Sequence, residues 1–199
     1  MAFSATHLKF AAHKQQGLSI ENKDKYYSGT VYPDSRYVTG IAREKTHFDE
    51  LLPFEQYQDD FKLGWAVHYL CDQRQGEVIH DVFDDLNRGD ENIDWWVEFS
   101  AIKLAQDYFD RKNFELLEHL QHLNYTEINF EGEKESELTK FLDDIKDSYR
   151  NFTMPRTYER MLETLEIDKG LRDKILDLGG RMVESKEDQI NSISKQLFD

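Results

Sequence analysis

Between Phe61 and Asp72 apolar side chains cover almost the whole circumference of a helix. Phe61, Trp65 and Tyr69 recur at i, i+4 and i+8, and Leu63, Val67, Leu70 and Cys71 occupy most of the remaining surface. A helix apolar on most sides cannot face water, so the chain must provide other helices to surround it. The pattern predicts this central helix between Phe54 and about Leu86. Trp95, Phe99 and Ile102 mark a second helix over 93–111, and Leu138, Phe141, Leu142, Ile145 and Tyr149 mark a third. Further helices are predicted over 4–16, 156–167, 169–184 and 186–197. Only ten glycines and three prolines occur in 199 residues, which works against a strand-and-turn fold. The expected architecture is all-α: a single-domain bundle of about seven to nine helices over residues 1–199, with a metal cluster between helices. Residues 1–112 form the candidate metal-site core, and 113–199 add packing helices. Tyr27–Arg36, which contains Gly29 and Pro33, is predicted to be a loop.

The net charge of −15 opposes binding to phosphate backbones and anionic lipid surfaces, so nucleic acid is not expected as a partner. Aromatic residues make up 13% of the chain, enough for a substantial core despite a mean hydropathy of −0.76. Cys71 is the only cysteine, which excludes an intramolecular disulfide and a cysteine-based zinc site. No basic leader followed by an apolar run opens the chain, and no transmembrane segment is expected, so the reading is a cytoplasmic protein.

Two pairs of polar residues, each spaced four apart, stand out against this apolar background. His68 and Asp72 are four residues apart on the most apolar helix, so both point the same way into a largely buried space. A carboxylate there needs a partner: a divalent cation would serve, and so would hydrogen bonds to His68 and the backbone. Asp94 and Glu98 repeat the spacing on the next helix, where a solvated acidic edge is the simpler account. Inward carboxylates and histidines on facing helices are how bundles build metal centres. A third element is Pro33-Asp34-Ser35-Arg36. Asp34 on a proline-stiffened segment could ligate a metal, act as a base, or cap a turn, and Arg36 could clamp a phosphate or carboxylate.

In order and spacing these residues resemble the superfamily of zinc-dependent phospholipase C and single-strand-specific nucleases. An early histidine, His7, precedes the Pro-Asp segment at Asp34, and His47 follows 13 residues later. Trp65-Ala66-Val67-His68-Tyr69-Leu70-Cys71-Asp72 is similar to the family helix that carries a histidine and an aspartate. His80, Asp94 and Glu98 stand near the spacing of the family's further ligands. The match covers about half the chain. It departs from the family in three ways: Asp94 replaces a histidine, His80 lies further from Asp72, and the chain begins Met1-Ala2 rather than with the tryptophan whose amino group is a zinc ligand in secreted members.

The resemblance implies an all-α fold holding two or three zinc ions. Asp34, His47, His68 and Asp72 would hold one, and His80, Asp94 and Glu98 a second, with His7 near a third. Aspartate in place of histidine would make the Asp94/Glu98 site more receptive to Mn²⁺ or Fe²⁺. The implied chemistry is hydrolysis of a phosphoester, with Asp34 as ligand or base and Arg36 or Arg43 neutralising a phosphate oxygen. The acidic surface favours a small soluble phosphoester over a polyanion, and an oligomer is compatible with the amphipathic C-terminal helices. Two other readings stay open. His47, His80-Asp81 and Asp94 or Asp107 loosely fit an HD-type phosphohydrolase, and the chain could instead be a non-catalytic acidic helical interaction protein.

Overall fold

A computed structural model describes residues 3–47, 51–83, 93–129 and 132–198, with the side chains of Ile93 and Asp94 excluded. Every regular element among these residues is helical. They are α1 (Ser4–Gln15), α2 (Lys23–Val31), α3 (Arg36–Thr39), α4 (Arg43–Thr46), α5 (Asp60–Val82), α6 (Ile93–Lys112), α7 (Leu116–Leu120), α8 (Glu135–Arg150), α9 (Arg156–Thr164), α10 (Lys169–Ser185) and α11 (Glu187–Phe198). Short 3-10 turns cover Tyr32–Ser35 and Phe54–Gln56.

The helix α5 is the central one, as its all-round apolar surface requires. Its first turn is fixed by Asp59, whose side chain accepts from the backbone N–H groups of Phe61 and Lys62. Helices α1, α2 and α11 pack around it, and α6 lies against α1, α10 and α11. One core cluster joins α1, α2, α5, α7 and α8 through Leu8, Phe10, Tyr26, Val67, Leu120 and Ile145. A second joins the end of α5 to α6, α10 and α11 through Ile79, Ile102, Met182 and Ile193. Helix α8 thus belongs to the first cluster, and α10 and α11 cover α6 in the second.

The predicted loop at Tyr27–Arg36 is corrected by the structure. Helix α2 runs straight through Gly29 to Val31, and Pro33 sits in the first turn of the 3-10 segment, where its missing N–H costs nothing. Gly29 serves packing rather than a turn. A Cβ there would lie 2.1 Å from the carbonyl oxygen of Phe61, and a Cβ on Gly64 would lie 1.9 Å from that of Tyr26. The two glycines let α2 and α5 touch backbone to backbone, which puts the Thr30 carbonyl beside His68.

Helix α1 has no side-chain cap of its own at Phe3. Its first N–H groups, which have no partner within the helix, are taken instead by α6: Asp107 Oδ1 accepts from Ala5 N at 2.8 Å and from Thr6 N at 3.1 Å. Tyr149 and Tyr158 donate their hydroxyls to the same carboxylate, at 3.0 and 2.9 Å to Oδ2. Asp110 holds the next part of α1 through Thr6 Oγ1 and Lys9 Nζ. These buried bonds set the axial position of α1 and so of His7.

Candidate metal centre

Four elements bring side chains to one place: α1 supplies His7, the segment after α4 supplies His47, α5 supplies His68 and Asp72, and α6 supplies Lys103. The Asp72 carboxylate lies in the middle. Its Oδ2 is 3.7 Å from His68 Nε2 and 3.8 Å from His47 Nε2, while its Oδ1 is 3.8 Å from His7 Nε2 and 3.3 Å from Lys103 Nζ. Ligand atoms of His7, His68 and Asp72 all lie within 4.8 Å of one another, a group that could hold a metal ion.

The imidazole orientations follow from their outer partners. His68 Nδ1 lies 2.8 Å from the Thr30 carbonyl oxygen. A carbonyl can only accept, so Nδ1 carries the proton and Nε2 presents its lone pair to the cluster. His47 is oriented through its neighbour: Trp65 Nε1 donates to the Thr46 carbonyl at 2.7 Å, and His47 Nδ1 lies 3.1 Å from Thr46 Oγ1. His7 and His68 stack with centroids 4.0 Å apart and planes within 10°.

Both stacked rings are fully buried, and His7 Nδ1 and Nε2 and His68 Nε2 have no hydrogen-bond partner among the described residues. Orphaned buried imidazole nitrogens are costly unless something binds them. Separations of 3.7–3.8 Å to Asp72 are too long for hydrogen bonds but near the edge of a coordination shell with bonds of about 2 Å. The donor set of imidazole and carboxylate suits zinc and its first-row neighbours, so the residues present fit a divalent ion.

The electrostatics agree with this arrangement. Burial drives the pKa of His7 well below its ordinary value, helped by neighbouring His68 and Lys103 and opposed by Asp72. Burial also lowers His68, against the upward pull of Asp34 and Asp72. Burial pushes the Asp72 carboxyl up, but Lys103, His47 and His68 outweigh it and hold it well below the usual range. Neutral imidazoles facing an ionised carboxylate are the protonation states that metal binding requires.

Asp34 stands beside the cluster, near enough to bear on His68 and on the half-buried phenol of Tyr37. It also lines a cavity of about 70 Å³ whose walls include Phe3, Phe141, Ile145 and Met161. Arg36 stacks over the Tyr37 ring at 4.0 Å and donates to its hydroxyl at 2.6 Å. Arg43 is exposed. Among the described residues the group is His7, His68 and Asp72, while the His80 ring stacks on Trp95 and Phe99 with centroids 6.4 and 5.8 Å away. Glu98 lies on α6, and the Asp94 side chain lies outside the described residues. The other histidines serve elsewhere: His13 is exposed, His119 stacks on Phe114, and His122 pairs with Asp24 at 2.6 Å.

Lys103, Thr30 and Tyr37 are the neighbours that sequence reasoning did not single out. None of the three carries a signal that the sequence alone exposes, because each owes its place to a partner on another element. No protein-family model, no curated protein and no solved structure matches this chain.

Proposed function

We propose that this protein is a metal-dependent hydrolase of small phosphoesters, working in the cytoplasm, with a divalent ion, zinc first, held by His7, His47, His68 and Asp72. The observation that carries the reading is the pair of buried imidazoles with unpartnered nitrogens converging on one ionised carboxylate. A divalent ion bound there supplies an activated water and a Lewis acid for a phosphoryl oxygen.

The remaining roles belong to the chain. Asp72 anchors the centre and, with side-chain exposure of only 14%, works in a partly desolvated setting where charge interactions are strong. Asp34, close enough for its charge to act on His68, would accept a proton from the attacking water and orient it. The small, largely apolar cavity beside Asp34 suits the organic part of a compact phosphoester and not a polymer. Arg36 is held by Tyr37, a phenol close enough to feel the charges of Asp34 and Asp72, and from there would neutralise a phosphate oxygen.

The HD-type alternative requires Asp81 together with His80. Asp81 is exposed, which favours the His68/Asp72 centre instead. The test is elemental mass spectrometry on protein purified without chelator or nickel affinity resin, beside a His68→Ala/Asp72→Asn double variant. The expected result is stoichiometric divalent metal in the native chain, lost in the variant together with p-nitrophenyl phosphate hydrolysis. A protein that carries no metal and cannot be loaded would overturn the hydrolase reading and leave an acidic helical interaction module.

A further inference from the structure

Resting on that metal-site reading, we infer that Lys103 is the second cation of the centre: its ammonium takes the place against Asp72 that another metal ion would occupy, so the site accepts one divalent ion. A carboxylate that bridges two metals offers one oxygen to each. Asp72 divides its oxygens in this way, with Oδ2 facing His47 and His68 and Oδ1 facing His7 and Lys103. On the Oδ1 side the position nearest the carboxylate is filled by Lys103 Nζ at 3.3 Å.

Lys103 is built into this place. Its side chain is 5% exposed, and Nζ also lies 5.0 Å above the Phe99 ring. A lysine so buried is rare unless it is paired, and its partner here is the carboxylate at the heart of the site. The ammonium carries three donors and Asp72 takes one, so Lys103 can also meet a phosphoryl oxygen held against the centre. The charges balance without a second metal: one divalent ion and one ammonium against Asp34 and Asp72 leave a single net positive charge to receive a phosphoester anion.

A fixed positive charge beside the metal position must weaken metal binding, and removing it must strengthen that binding. The test is calorimetric titration of the chelator-treated protein with Zn²⁺ for the native chain, Lys103→Met, Lys103→Gln and Lys103→Arg. Lys103→Gln keeps a donor for Asp72 and guards against misfolding of the methionine variant. The native chain is expected to take one equivalent. The Met and Gln variants should bind at least tenfold more tightly, and Lys103→Arg should stay within about threefold of the native affinity. Two equivalents in the native chain, or unchanged affinity in both neutral variants, would overturn the inference while leaving the hydrolase reading intact. No zinc binding by the native chain would remove both.

Discussion

His68 reaches the candidate metal centre from α5, but its ring is aimed by the backbone carbonyl of Thr30 on α2, 2.8 Å from Nδ1. That bond exists because Gly29 and Gly64 bring the two helix backbones together. Gly64→Ala would place a methyl 1.9 Å from the Tyr26 carbonyl oxygen, so the helices must separate. The expected cost is about 3 kcal/mol or more by chemical denaturation, with metal retention lost, because rigid backbone and not a flexible side chain opposes the methyl. Gly76 is the matched control on the same helix. Among the described residues nothing lies within 4 Å of a Cβ there, so Gly76→Ala should stabilise the protein by about 0.5–1 kcal/mol through helix propensity and leave metal binding unchanged.

The buried carboxylate that caps α1 predicts an unusual pH dependence. Burial raises the Asp107 carboxyl to about 7, despite hydrogen bonds from Tyr158, Thr6 and Tyr149 that pull it down. An acid whose folded pKa is raised stabilises the fold below its unfolded value near 3.8 and loses that contribution as pH rises through 7. His7 and His68, lowered by burial, act in the opposite sense: their contribution is present above the unfolded histidine pKa near 6.5 and is lost as pH falls. The two trends offset each other in the native chain. Asp107→Asn keeps an acceptor for the α1 amides, and the tyrosine hydroxyls can turn to accept from its NH₂ group. Stability measured from pH 5 to 6.5 should then climb with pH more steeply in the variant than in the native chain, by about 1.4 kcal/mol per pH unit. Parallel profiles would show that Asp107 is ionised throughout.

Helix periodicity exposed most of the architecture, because each long helix buries one stripe and the spacing of apolar residues reports it. The helices predicted over 93–111, 169–184 and 186–197 lie within a residue or two of α6, α10 and α11. His68 and Asp72 were legible for the same reason, as polar residues on an apolar surface. Gly29 misled because glycine reads as a turn when no partner helix is in view, whereas its role is a close approach to Phe61, 32 residues away in sequence. The inner stripe of α6 was hidden by a subtler effect. Lys103, Gln106, Asp107 and Asp110 follow the i, i+3, i+4, i+7 spacing of a buried face, and all four are buried. Their chemistry imitates a solvated one. Only their partners on other helices, Asp72, Gln75, the α1 amides and Ser194, reveal that the stripe points inward.

Trp65 supports the centre at one remove. Its indole N–H fixes the Thr46 carbonyl at 2.7 Å and thereby the segment that presents His47. Trp65→Phe keeps most of the apolar contact with Tyr32 but drops that bond. Outer partners of metal ligands typically contribute 10–100-fold in affinity. The variant should therefore bind Zn²⁺ about tenfold more weakly while losing little helical signal in circular dichroism. An unchanged dissociation constant would mean that His47 needs no such support.

His80 separates the competing descriptions of the site. It lies eight residues beyond Asp72 on α5, an axial displacement of about 12 Å at helical rise, and its ring is stacked against Trp95 and Phe99. If metal binding rests on His7, His47, His68 and Asp72, then His80→Phe preserves the aromatic stack and should leave both zinc stoichiometry and phosphoester turnover at native levels. An HD-type centre, or a second ion held by His80, Asp94 and Glu98, predicts the opposite: loss of an equivalent of metal and of most activity. Elemental analysis and p-nitrophenyl phosphate turnover on the same preparation decide between them. Activity lost with metal content intact would instead assign His80 to substrate rather than to a metal.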